Sequence, residues 1–224
     1  MKEALADRVA TLAGSERAEA ARAFAEAYLR RSTGGYEDAD AAEQLAHEVF
    51  GAFGLAARRG SAPVIVRAFN PTLAQDGYEP PGSVLEASAE DMPFLVDSIS
   101  CELLARGVGI HRVLYPILGT ERAPDGGILR VLHPREAPLR ESMMHFELDR
   151  RLGEAELDQL VDGTRHVLDE VRSVVEDFAL MRARMGRLVE LVRAAAGHSE
   201  PADVDEAIAF LEWLPADKIG RAHV

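Results

Sequence analysis

Apolar residues recur at helical spacing through residues 2–30, a stretch rich in Ala, Glu, Arg and Leu. Ala21, Phe24, Ala25 and Tyr28 line one face of it. Thr33-Gly34-Gly35 reads as the stop signal. A second helix is expected over 38–58, with Leu45, Val49, Phe50 and Phe53 as its apolar face, ending at Arg58-Arg59-Gly60-Ser61. The period then changes. Residues 63–69 are short and β-branched and predict a strand. A loop from Asn70-Pro71 closes at Pro80-Pro81-Gly82, and 83–88 forms the next strand. A helix follows over 93–106, opened by Asp91 as its cap and by Pro93 near the first helical position. Leu95, Ile99 and Leu103 share its inner face, and Gly107 ends it. Residues 109–119 read as one apolar strand. The turn Pro124-Asp125-Gly126-Gly127 then returns the chain into 128–132 as a hairpin. Residues 142–148 alternate, with Met143, His145 and Glu147 opposite Met144, Phe146 and Leu148.

The most regular pattern runs from Gly153 to Ala195. Leu157, Leu160, Thr164, Val167, Val171, Val174, Phe178, Met181, Met185, Leu188 and Val192 follow in steps of three and four, with Thr164 the only polar member, and Val161, Leu168, Val175 and Val189 widen the stripe as flanking apolar positions. One helix of this length extends roughly 60 Å, too far for one small sheet to cover. Its first half, to about Phe178, can pack on the sheet. The rest needs the N-terminal helices or a second chain, which makes Phe178, Met181, Met185, Leu188 and Val192 a candidate assembly face. Gly163 and Gly186 are candidate bend points. Residues 196–201 read as a linker, and Val204, Ala207, Phe210, Leu211 and Leu214 as the opening helix of a further domain. The expected organisation is a helical segment over 1–60, an α+β domain with a long C-terminal helix over 61–195, and the start of another domain over 196–217.

Composition narrows the function classes. The formal net charge of -13 repels phosphate backbones, so nucleic acid is an unexpected partner. A single cysteine, Cys101, excludes an intrachain disulfide framework. No signal peptide and no apolar run of roughly 20 residues is present, so the expectation is a cytoplasmic chain without membrane contact. Residues 218–224, Lys-Ile-Gly-Arg-Ala-His-Val, match the translation of a common sequencing adapter. They read as an artefact, so His223 enters no functional argument.

The search for chemistry is mostly negative: the chain has no GxGxxG, Walker A, HExxH or GxSxG motif, and no catalytic residue is assigned. Thr33-Gly34-Gly35 and Asp125-Gly126-Gly127 are turns rather than phosphate cradles. His145 reads as a satisfied or half-exposed strand histidine rather than a ligand, and no metal site is expected. His111 and His133 could meet if their strands pair. Cys101 reads as a small packing residue. One loop stands out. Asp91, Met92, Pro93, Phe94 and Asp97 lie between a strand and a helix N-terminus, where backbone N–H groups suit an anion such as a carboxylate. Capping alone also accounts for it.

Long motifs carry a resemblance. Val66-Arg67-Ala68-Phe69-Asn70-Pro71, the run from Glu90 through Ile99, Gly109-Ile110-His111-Arg112-Val113, Tyr115-Pro116-Ile117-Leu118 and the run from Glu141 through Arg150 are similar to the N-terminal region of the large bacterial NAD-specific glutamate dehydrogenases. Residues 171–178 and 209–214 add to it, and the likeness covers most of 20–214 in order. The same stretch resembles an ACT domain, so the implied fold is α+β: an ACT/ferredoxin-like antiparallel sheet with helices on one face, a helical segment before it and a long helix after. The resemblance implies a parent that deaminates L-glutamate with NAD, while this piece holds neither cofactor nor active site. It also implies partners: the rest of the parent chain, further copies of this chain and an amino-acid effector. ACT domains that bind an amino acid commonly place Gly directly after the loop Pro. Phe94 stands there, and its side chain is expected to fill or reshape the pocket.

Overall fold

The computed structural model describes residues 2–31, 38–195 and 201–214. They fall into two compact units, 1–171 and 172–224. The first unit begins with α1 (Lys2–Ala13) and α2 (Ala18–Tyr28). The single helix expected over 2–30 is therefore two, because Gly14 adopts φ 76°, a left-handed conformation that ends α1. A 3-10 turn, Leu29–Arg31, follows α2, and Thr33-Gly34-Gly35 lies outside the described residues. Helix α3 (Ala39–Arg58) starts where the Asp38 side chain accepts the Ala41 N–H at 2.7 Å.

Six strands then form one antiparallel sheet: β1 (Val64–Phe69), β2 (Val84–Glu90), β3 (Ile110–Leu114), β4 (Ile117–Arg122), β5 (Ile128–Leu132) and β6 (Leu139–Leu148). The short helix α4 (Leu73–Asp76) interrupts the loop after β1, and α5 (Leu95–Ala105) follows β2. The strand order is β1-β2-β6-β4-β5, with β3 also paired to β6. The run 109–119 is thus two strands, parted at Tyr115-Pro116. Pro116 has no N–H for a ladder, while its carbonyl accepts the Met143 N–H at 3.1 Å. Strand β6, at ten residues, is long enough to hold both pieces along one edge: β4 against Leu139–Ser142 and β3 against His145–Leu148. β4 and β5 form the expected hairpin.

Period-two alternation sends the two sides of these strands into separate cores. Leu85, Ala87, Met144, Phe146 and Leu148 pack with Leu95, Ile99 and Leu103 of α5 and with the first part of α6 (Glu154–Ala195). This is the ACT-like arrangement of an antiparallel sheet with α5 and α6 on one face. Helices α1–α3 cover the opposite face, where Val9, Phe24, Val49 and Phe53 cluster with Leu118 and Met143.

In the part of α6 up to Val171 the buried positions are Leu157, Leu160, Thr164 and Leu168, so the seam passes through Leu168, expected as a flanking position, rather than Val167. A helix lying on a sheet keeps 3.6 residues per turn, and its buried stripe drifts away from a 3.5-residue pattern. Gly163 serves close approach: a Cβ there would come within 2.3 Å of the Glu102 and Arg106 side chains of α5. The helix is uninterrupted over its 42 residues.

The second unit holds the remainder of α6 and α7 (Pro201–Trp213). Phe178, Met181 and Leu188 are exposed there, and Met185 and Val192 are half-buried. Arg193 joins the two helices, donating to Glu190 and Glu212 at 2.8 Å each. The linker residues 196–200 and the tail 218–224 lie outside the described residues. No helix among the described residues is long and apolar enough to cross a membrane.

Candidate functional site

Charged side chains gather on the sheet face beneath α1–α3. The registers put Arg67 of β1 opposite Glu86 of β2, and Glu86 opposite His145 of β6. On the other edge of β6, Arg112 of β3 lies opposite Glu147. These five residues have the same parity and project to one side of the sheet. Glu48 comes from above: it lies between Leu45 and Ala52 on the inner stripe of α3 and is 3% exposed.

The contacts form a connected network. Arg67 Nε donates to Glu86 Oε2 at 2.6 Å, and Glu86 Oε1 lies 2.8 Å from His145 Nδ1. Arg112 Nη2 donates to Glu147 Oε1 at 2.5 Å and also to Glu48 Oε2. The Tyr28 hydroxyl reaches Glu48 Oε1 at 3.5 Å. His145 is fully buried, and its Nε2 has no hydrogen-bond partner. That nitrogen faces Glu48 Oε1 at 3.8 Å and Glu147 Oε1 at 4.0 Å, which are Coulombic rather than hydrogen-bonding distances.

Burial by itself lowers the pKa of His145. The carboxylates of Glu48, Glu147 and Glu86 outweigh it and raise the ring to about 10. Burial pushes Glu147 upward, yet His145 and Arg112 hold it down at about 2. Glu86 is likewise lowered against its burial, by His145 and Arg67. Tyr28 and Tyr78 are raised, first by burial and then by the surrounding carboxylates. With His145 protonated, Glu48, Glu86 and Glu147 are balanced by Arg67, Arg112 and the imidazolium. The expectation of a satisfied or half-exposed histidine gives way to a fully buried one with only Nδ1 hydrogen-bonded.

A second cluster lies nearer the start of β6. Arg122 grips Glu141 with two hydrogen bonds, at 2.9 and 2.8 Å, and Arg59 pairs with the same carboxylate. The guanidiniums also donate to α3 and its flanking turn: Arg122 Nη2 to Ala56 O at 2.9 Å, and Arg59 Nη1 to Ala62 O at 2.6 Å. Burial and then the neighbouring Arg59 lower Arg122 to about 10.

The loop singled out from sequence has a different geometry from that expected. Asp91 does not cap α5. Its carboxylate accepts the Ser142 hydroxyl at 2.8 Å and Arg140 Nη2 at 2.7 Å, because β6 runs directly beside it. Pro93 sits in the turn before the helix, and the capping position belongs to Phe94 at φ 73°, which supplies no side-chain cap. Phe94 is the only non-glycine residue with positive φ among those described. Its side chain fills no pocket; the residue is 62% exposed. A cavity of about 610 Å3 adjoins the loop, lined by Glu90, Asp91, Met92, Pro93, Pro138 and Arg140, without Phe94 or Asp97. Asp97 is exposed in the first turn of α5. Cys101 is also exposed rather than packed. His111 and His133 do not meet through paired strands, since β3 pairs β6 and β5 pairs β4.

Residues 24–164, more than half of the chain, match the model of the family described as glutamate dehydrogenase, ACT1 domain. The chain belongs to this family. It is similar to the NAD-specific glutamate dehydrogenase of Halomonas elongata, at 38% identity over 156 residues, 68% of this chain and 10% of that protein. The protein of the same name from Pseudomonas aeruginosa is 33% identical over 153 residues, 66% of this chain and 9% of the relative. The Mycobacterium tuberculosis one is 29% identical over 140 residues, 59% of this chain and 8% of the relative. The chain thus spans about a tenth of the relatives it matches.

Both charge clusters lie within the ACT1 match, and sequence reasoning overlooked most of their members. The signal for Glu48 was its helical position, three residues after the inward-facing Leu45 and four before Ala52. For Glu141 and Glu147 it was parity with Met143 on the same strand. What could not be read was which strands would flank β6, and hence that its ACT1 neighbours carry Glu86 and Arg112 at the matching registers.

Proposed function

We propose that this chain is a regulatory and assembly region from the N-terminal part of an NAD-dependent glutamate dehydrogenase and carries out no chemistry itself. The observation that carries the reading is the ACT1 match over 24–164 in a chain that corresponds to only a tenth of its relatives. The site geometry supports it: the buried carboxylates are engaged by guanidiniums or by His145 rather than presented to a cavity. The parent would oxidatively deaminate L-glutamate to 2-oxoglutarate with NAD, in the cytoplasm, using residues outside this chain. The purified chain then shows no glutamate-dependent NAD reduction in a spectrophotometric assay, and measurable turnover overturns the reading. Assembly would use the apolar positions Phe178, Met181, Met185, Leu188 and Val192 on α6, three of which are exposed. Charged replacements at Met181 and Met185 should lower the mass in solution, and an unchanged mass counts against this face.

A second reading, an amino-acid sensor, is favoured by Phe94. The residue holds the left-handed backbone that glycine adopts freely, beside a cavity containing the Asp91–Arg140 pair. Calorimetry against a panel of amino acids separates the two readings. Saturable heat that disappears in Arg140→Ala supports the sensor, and no heat leaves the assembly role.

A further inference from the structure

The ion network under α3 contains one atom that its charge balance leaves without a hydrogen bond. His145 Nε2 is enclosed, unpartnered and aimed between two carboxylates. The rest of the ring is arranged as in metal centres: Nδ1 is held by Glu86, which Arg67 holds in turn, and this orients Nε2 as a ligand. One ligand atom from each of Glu48, His145 and Glu147 lies within 4.8 Å of the others. Around a tetrahedral ion with bonds of about 2.0–2.1 Å, ligand atoms stand roughly 3.3 Å apart. The two edges from His145 Nε2, 3.8 and 4.0 Å, and the carboxylate edge, within 4.8 Å, would each contract on binding.

We propose that Glu48, His145 and Glu147 form a binding site for one divalent cation of the Zn2+ type, with Glu86 as the carboxylate that orients the histidine. One imidazole and two carboxylates suit such borderline ions. Arg112 occupies the position between Glu48 and Glu147. Its side chain is 33% exposed on β3, a strand paired only to β6, so the guanidinium can withdraw to solvent. The exchange conserves charge. Without metal, three carboxylates are balanced by Arg67, Arg112 and a protonated His145. With metal, the same carboxylates are balanced by Arg67 and the dication, as Arg112 leaves and His145 gives up its Nε2 proton to solvent. This site is independent of the parent-enzyme reading, so the two fail separately.

The test is titration of the tag-free chain with Co2+, followed by visible absorption and by calorimetry, and then displacement with Zn2+. The expected result is one equivalent bound, a visible spectrum of nitrogen and oxygen ligation, and a raised unfolding temperature. Glu147→Gln and His145→Gln should abolish the spectrum. Glu86→Gln should weaken binding about ten- to hundredfold. Arg112→Gln, which removes the competing cation, should tighten it about tenfold. Arg112 is partly exposed and off the proposed ligand set, so that variant tests the site even if the buried substitutions unfold the chain. Absence of stoichiometric binding to the wild-type chain overturns the proposal. So does a spectrum that persists in a folded His145→Gln variant, which would place the ion on other histidines.

Discussion

Strand β6 faces two different environments, and both are buried. Toward α5 and α6 it presents Met144, Phe146 and Leu148; toward α1–α3 it presents Glu141, Met143, His145 and Glu147. An apolar face is held by area and shape and accepts volume-conserving changes at modest cost. A buried charged face is not interchangeable in that way. Each group is tolerable only with its own partner, so the face specifies which elements cover it more sharply than it adds stability. Helix α3 meets this requirement through Glu48 and through the Ala56 carbonyl that receives Arg122. The N-terminal helices are thereby matched to this sheet in particular.

The largest expected effect breaks the charged face. Glu141→Leu leaves Arg59 and Arg122 buried without their carboxylate and should cost about 5 kcal/mol, read as a lower urea midpoint in circular dichroism. On the apolar face, Leu103→Ala should cost about 3 kcal/mol through lost contacts and a cavity. If the two losses reverse in order, the contrast between the faces is wrong.

Smaller changes sharpen the comparison. Thr164 is fully buried in the apolar seam of α6, and its hydroxyl has no partner. Thr164→Val should stabilise by about 1 kcal/mol in the same denaturation experiment, and destabilisation would reveal a polar contact at that position. Phe94→Gly releases a left-handed backbone and should gain about 1 kcal/mol, since the exposed ring gives up little packing.

The smallest effect concerns pH. The Gly153 N–H and then Arg150 lower the pKa of Glu156 at the start of α6. A depressed folded-state pKa means stability that is present above the unfolded value and lost as pH falls through the folded one. Below the ordinary carboxylate range the first turn of α6 should fray, seen as faster amide exchange at Leu157. Exchange that does not change with pH, after correction for its intrinsic rate, would show that the cap holds nothing.

Local pattern was sufficient for α3, α5, the β4–β5 hairpin, α6 and α7, because helical and strand periods depend only on neighbours along the chain. It also exposed the alternation of β6 and the oddity of Phe94 after Pro93. It set Val167 in the seam and Leu168 at its flank because a heptad was assumed where a sheet imposes 3.6 residues per turn. It joined β3 to β4 because apolar runs do not show which edge they pair with.

What the sequence alone determined was an acidic ACT-type chain with no catalytic motif and a helix longer than its sheet. Only the tertiary structure decided that Asp91 serves Arg140 and Ser142, that Phe94 points outward, and that Glu48, Glu86, Glu147 and His145 converge. The physical reason is distance along the chain. Those contacts join residues tens of positions apart, and a buried charge declares its partner only once strand register and helix packing bring the two together.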